Sequence, residues 1–215
     1  MSALGWIGDI DVKGFADHHP PMFEGQLNAR ADMTSGALYA ISGESGWIYY
    51  GQVTREKKVG FFRRRDRELA NPATVLDAPV MSVVTVAYPS ITRAMRTGHW
   101  TKLGRFSTAE ALITPQPSVQ WPVGTLIVTV WIGDAPHHDT RVDDPSIQSM
   151  ELMAVWDAEH HIPARLTADF GAEEPDWHVG GSIRRERKIM EESARRFADQ
   201  PWHRLPADWV PTDVR

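Results

Sequence analysis

Residues 36 to 62, GALYAISGESGWIYYGQVTREKKVGFF, constrain this chain more than any other stretch. Leu38 to Ile41 is apolar and made of strand-formers. Ser42 to Gly46 is turn chemistry, because glycine supplies positive φ and serine bonds nearby backbone. Trp47 to Val53 is dense in aromatic and β-branched residues, which suit a pleated surface. Thr54 to Lys58 is a second polar turn, and Val59 to Phe62 returns as a strand. Alternation puts Trp47, Tyr49, Gly51 and Val53 on one face and Ile48, Tyr50 and Gln52 on the other. The stretch predicts an antiparallel meander against which the remaining chain packs.

A chain of 215 residues can bury a substantial core, in one domain or in one domain with an appendage. Cysteine is absent, which excludes disulfides and thiolate chemistry. A net charge of −5 argues against a nucleic-acid binder and suits a basic protein partner. No apolar run reaches the roughly 18 residues of a membrane span. No basic segment followed by an apolar one opens the chain, so the expectation is a cytoplasmic protein without membrane association. The nine tryptophans are expected to fill and cap the core.

Glycines and prolines break every period in residues 1–33, which read as an irregular arm with a short edge strand at Trp6 to Val12. Val80 to Tyr88 is an almost continuous apolar run, as expected of a strand buried on both faces. Ser90 can cap a short helix through Thr97, and Gly98 stands where that helix would end. Between meander and run lies RRRDRE, Arg63 to Glu68, read first as a solvated strand end and second as a phosphate-binding surface.

Gly124 to Gly133 predicts a strand with Leu126, Val128 and Val130 on one face. Asp134 to Ser146 reads as a polar loop, and Ile147 to Asp157 as a strand pairing with the first across it. Residues 164–181 read as a connector. Ser182 to Asp199 is the strongest helix: Ser182 caps it, and Ile183, Met190, Ala194 and Phe197 share a side. Glu191–Arg195 and Glu192–Arg196 are i, i+4 pairs, each worth roughly 0.2–0.5 kcal/mol. The tail is expected to lie extended over the domain through Trp202 and Trp209.

The order of signals from Gly36 to Phe106 is informative. Gly36, Tyr39 and Ile41 are followed by Gly51, Gln52 and Val53, then a buried strand, a short helix, and Gly98-x-Trp100 with Leu103-Gly104. Over roughly residues 34–125 this pattern resembles immunity protein 26, a family of bacterial polymorphic-toxin systems. The resemblance implies a β-rich immunity-like domain at 34–163, preceded by the arm at 1–33. The connector, C-terminal helix and tail at 164–215 would pack on it. It also implies a protein without catalytic residues, which neutralises a cognate toxin by binding it.

The expected fold is α+β: a mostly antiparallel curved sheet or partly open β-barrel, a short helix and a long C-terminal amphipathic helix. No cofactor or metal is expected. Partner contact is expected from exposed aromatics Trp47 and Tyr49 beside the 42–46 turn, or from Asp139, Asp143 and Asp144, rather than from RRRDRE. Two alternatives stand beside this reading. One is a metal-dependent hydrolase using His137, His138 and the aspartates of loop 134–144. The other is a barrel-like module that binds nucleic acid through Arg63 to Arg67. Adjacent histidines lack the i, i+4 spacing of a helical zinc pair, which counts against the hydrolase.

Overall fold

The computed structural model describes residues 20–171 and 181–212. The strand expected at Trp6 to Val12 lies outside them.

The meander forms as the alternation predicts. Strands β1 (Ala37–Ser42), β2 (Ile48–Val53) and β3 (Val59–Asp66) pair antiparallel, with Leu38 opposite Gln52 and Val53 opposite Val59. Strand β4 (Val80–Val86) pairs antiparallel with β3. Helix α1 (Pro72–Leu76) links the two, capped by the Asn71 side chain. Strand β5 (Trp100–Arg105) returns against β1, and the two-residue β10 (Val155–Trp156) adds in parallel beyond β4. The six strands run β10-β4-β3-β2-β1-β5 and curl into a half-barrel.

Both faces of this sheet are buried, which explains the apolar density of β1 and β2. Tyr39, Ile41, Tyr49, Val53 and Phe61 pack on one face against helices α2 (Tyr88–Arg96) and α3 (Ile162–Phe170). Leu38, Ala40, Ile48, Tyr50 and Phe62 pack on the other against Val75 of α1 and Leu112. Gly51 allows the close approach its place in a strand suggests. A β-carbon there would stand 2.8 Å from Val59 and 2.9 Å from Phe61.

Helix α2 begins one turn earlier than expected. Ala87, not Ser90, is the cap residue, and the Ser90 hydroxyl instead donates to the Ala87 carbonyl and accepts from the Ala158 N–H. Gly98 ends the helix region at φ 80°, where a β-carbon would strike the Phe23 carbonyl. The chain then turns Trp100 into the core, 1% exposed, with its indole N–H donating to the Ala158 carbonyl at 3.1 Å.

A second sheet, ordered β8-β7-β6-β9, comprises β6 (Pro117–Gln120), β7 (Ile127–Ile132), β8 (Ala135–Arg141) and β9 (Glu151–Leu152). Val119, Val128, Val130, Val142 and Ile147 form its core with Ile183 of helix α4 (Ile183–Arg196). Ser182 caps α4 as predicted, accepting from the Arg185 N–H. Trp209 stacks on Trp121 at 6.1 Å and 15°, while Trp202 is 64% exposed.

Three expectations are corrected here. Residues 135–141 are a strand, not a loop: Gly133 and Asp134 form a two-residue turn, and β8 pairs back on β7. The expected strand at 147–157 divides between the sheets, with β9 parallel to β6 and β10 parallel to β4. Residues 162–170 form α3, with Pro163 in the first turn, where its missing N–H costs nothing.

The described part of the N-terminal arm is fastened by Asp32. Its carboxylate receives Lys102 at 2.6 Å and Arg105 at 3.0 Å, and its backbone exchanges hydrogen bonds with the Tyr39 hydroxyl. Burial pushes that tyrosine hydroxyl up to about 12. Lys102, and then Thr34, hold the Asp32 carboxyl well below the usual carboxylate range. A carboxyl depressed on folding stabilises above its unfolded pKa, and loses that contribution as pH falls through the folded value. Asp32→Asn should therefore cost about 1 kcal/mol at neutral pH, a modest figure because Arg105 is 55% exposed. Thermal melts across pH should show the gap from wild type closing in acid. A gap that widens in acid would contradict this role.

No described helix is long and apolar enough to cross a membrane.

Candidate functional site

The strand alternation of β3 sends Arg63 and Arg65 to the face that carries Tyr49. Arg65 lies opposite Tyr49, and continuing that register brings Arg67 beside Trp47. The guanidinium of Arg65 is sandwiched, its central carbon 4.3 Å from the ring centroids of both Trp47 and Phe170. Arg67 stacks on the Trp47 ring at 3.7 Å, and Arg63 on Phe170 at 5.7 Å. Such contacts are worth roughly 0.5–1 kcal/mol each at exposed sites and more when shielded from water. Arg63 donates to the Asp169 carbonyl and Arg67 to the Ser45 carbonyl. None of the three forms an ion pair among the described residues. Arg64 points the other way and pairs with Asp66 at 2.8 Å.

Trp47 is thus half-buried beneath arginines, and the 42–46 turn and the RRRDRE run are one surface. Tyr49 is corrected from an exposed aromatic to a buried one. It is 0% exposed, its hydroxyl donates to Thr167, and its ring meets Phe170 edge-on at 6.1 Å. It supports the arginine layer from beneath. Phe170 was invisible as a site residue because its segment lacked a predicted helix. The i, i+2, i+4 spacing of the arginines beside Trp47 was the available signal.

Asp139, Asp143 and Asp144 lie along or just after β8, far less free than loop residues would be. Asp139 accepts from the Thr129 hydroxyl at 2.7 Å on the neighbouring strand. Asp143 pairs with Arg141 at 2.9 Å. Asp144 caps the 3-10 turn Pro145–Ile147 through the Ser146 N–H. The Thr140 hydroxyl, and then Ser146, hold its carboxyl down at about 2. These are local structural duties. Strand β8 is an exposed sheet edge, and Pro136 and the bulge at Val130/Trp131 interrupt its pairing pattern.

The His137 and His138 rings meet each other edge-on at 5.0 Å. Another group has the spacing to hold a metal among the described residues: Asp157, Glu159 and His160. Its carboxylates already take the Arg93 guanidinium, at 2.7 Å to Asp157 and 2.6 Å to Glu159. The arrangement ties the end of α2 to the turn before α3.

A cleft of about 820 Å³ lies between the two sheets, lined by Arg63, Met81, Glu151, Arg165, Asp169 and Arg185 among others. Glu151, Arg165, Asp169 and Arg185 satisfy one another's charges. Arg165, 2% exposed, holds Glu151 through both guanidinium nitrogens at 2.7 and 2.8 Å and Asp169 at 3.0 Å. Arg185 reaches Asp169 at 3.2 Å. Burial alone would lower the Arg165 pKa; the two carboxylates more than reverse this, so the cation is locked in place.

Comparison of the chain with family models, curated proteins and solved structures finds no match in any of the three.

Proposed function

We propose that this protein neutralises a cognate bacterial toxin by stoichiometric binding, without chemistry of its own. The observation that carries the reading is the Trp47–Arg65–Arg67 stack at the end of the meander. Tight protein interfaces concentrate their energy in tryptophan, tyrosine and arginine anchors ringed by polar groups, and this cluster has that composition. The residues that carry the immunity protein 26 resemblance fit a scaffold role beside it. Tyr39 anchors the arm. Gln52, fully buried, donates to the Gly36 and Ser107 carbonyls and accepts from the Ala109 N–H. Trp100 fills the core. On this reading the chain works in the bacterial cytoplasm, beside the toxin it blocks.

Co-expression with the products of neighbouring genes tests the proposal. One of them should be toxic alone, harmless with this chain, and recovered with it as a complex. Protection without a complex, or no toxic neighbour, would overturn it.

A further inference from the structure

We propose that the arginine face of β3 is the docking surface for an acidic protein patch, a cluster of carboxylates on the partner. The inference rests on the binding role proposed above and assigns the partner's chemistry. The guanidiniums of Arg63 and Arg65 project from one face of β3, and that of Arg67, one residue past the end of the strand, stacks beside them on Trp47. They carry three positive charges with no ion pair among the described residues, in a chain whose net charge is −5.

Their geometry suits carboxylates. The aromatic rings occupy the flat faces of the guanidiniums, and among the described residues Arg63 donates only to the Asp169 carbonyl and Arg67 only to the Ser45 carbonyl. The donor edges, which match a carboxylate in a paired fork, are left for a ligand. Stacking on Trp47 and Phe170 fixes the side chains before binding, so less rotamer freedom is lost when a partner arrives.

The same surroundings disfavour a nucleic-acid strand. Glu44 flanks the cluster in the adjoining turn, and Asp66 and Glu68 interrupt and follow the arginines in sequence. A continuous phosphate backbone would run past these acids, whereas a discrete carboxylate cluster need not. This placement reverses the expectation that the β8 aspartates meet a basic partner, because those aspartates are engaged locally.

The test uses two dye-labelled probes of equal charge, an eight-residue glutamate-rich peptide and an oligo-dT strand, titrated by fluorescence anisotropy into the full-length chain. The peptide should bind, weaken as salt rises, and bind no less tightly than the oligonucleotide. Arg63→Ser/Arg67→Ser should weaken the peptide about tenfold or more. It leaves the sandwiched Arg65 in place, and a single cooperative melt lying well above the titration temperature would show that the fold is intact. Arg65→Lys, which keeps charge but loses the paired donor edge, should also weaken the peptide. Peptide binding absent, or indifferent to both variants, overturns the proposal. So does tighter binding of the oligonucleotide. So does peptide binding that appears only after Glu173, Glu174 and Asp176 are neutralised, since the surface would then serve the chain's own acidic stretch. The two proposals fail separately. A chain that binds the peptide but blocks no toxin loses the toxin reading and keeps this surface. A chain that blocks its toxin equally well with both arginine variants loses this surface and keeps the reading.

Discussion

Trp100→Ala is expected to lower the unfolding free energy by about 3–5 kcal/mol, the range for truncating a fully buried aromatic. Trp100 sits where β5, α2 and the β1–β3 face converge. Its ring lies 5.7 Å from Tyr39 and meets Phe61 edge-on at 6.4 Å. Its indole N–H satisfies the Ala158 carbonyl, joining β5 to the segment between β10 and α3. Truncation opens a cavity among side chains fixed by a sheet on one side and helices on the other, so little can collapse into it. It also strands a buried carbonyl, which adds to the cost. Trp100→Phe should lose less, because most of the volume stays. Trp202→Ala, at a 64% exposed position, should shift the urea midpoint little. A Trp100→Ala midpoint equal to wild type would mean that this residue is not the core of the fold.

Arg165→Ala is expected to cost about as much, roughly 3–5 kcal/mol, for an electrostatic reason. Removing the guanidinium leaves Glu151 uncompensated, and that side chain is only 18% exposed. Asp169, 9% exposed, would keep Arg185 as its partner. The pairing also joins α3, which packs on the first sheet, to β9 in the second. The informative control removes both partners. Arg165→Met/Glu151→Met takes out the charge along with its counter-charge, and should recover most of the loss, because replacing a whole buried pair with apolar groups is often neutral or stabilising. A double variant no more stable than Arg165→Ala would show that stacking of the guanidinium on the Trp156 ring, 4.8 Å from its centroid, dominates instead.

The α+β class, with its curved antiparallel sheet, short helix and C-terminal helix, was legible in the sequence because strong signals carried it. Period-two alternation, two turns and aromatic density defined the meander from Ala37 to Phe62. Gly98 and the tryptophan after it marked a helix end and a core residue. Ser182 and the apolar spacing marked α4. The missed elements share a different cause. Strand β8 is exposed on both faces, so it has no apolar alternation; only the Gly133-Asp134 pair signalled the turn before it. The 147–157 run alternates correctly, but alternation cannot distinguish one long strand from two short ones serving different sheets. Helix α3 carried Pro163 and the i, i+4 pattern Ile162, Leu166, Phe170, which the glycines further on obscured.

The ion pairs on α4 show the limit of spacing rules. Glu192 pairs with Arg195 at i, i+3 and 2.6 Å rather than with Arg196. The Glu191 carboxylate turns to the tail, accepting from the Trp209 indole and from the Thr212 N–H. Tertiary partners outcompete pairs worth a few tenths of a kcal/mol. The candidate site was legible in part for the same reason. Trp47 and the arginine run were each visible as residues, but their joining depended on the β2–β3 register and on Phe170, brought in by a helix more than 100 residues along the chain.

In the role proposed for it, the chain acts as a stoichiometric binder. The most direct test of that role is a titration of the toxic neighbour's activity with increasing amounts of this protein. The account predicts a linear fall that reaches zero at an equimolar ratio and coincides with formation of a one-to-one complex. Complete loss of toxin activity at a small fraction of that ratio, with turnover and no lasting complex, would contradict it.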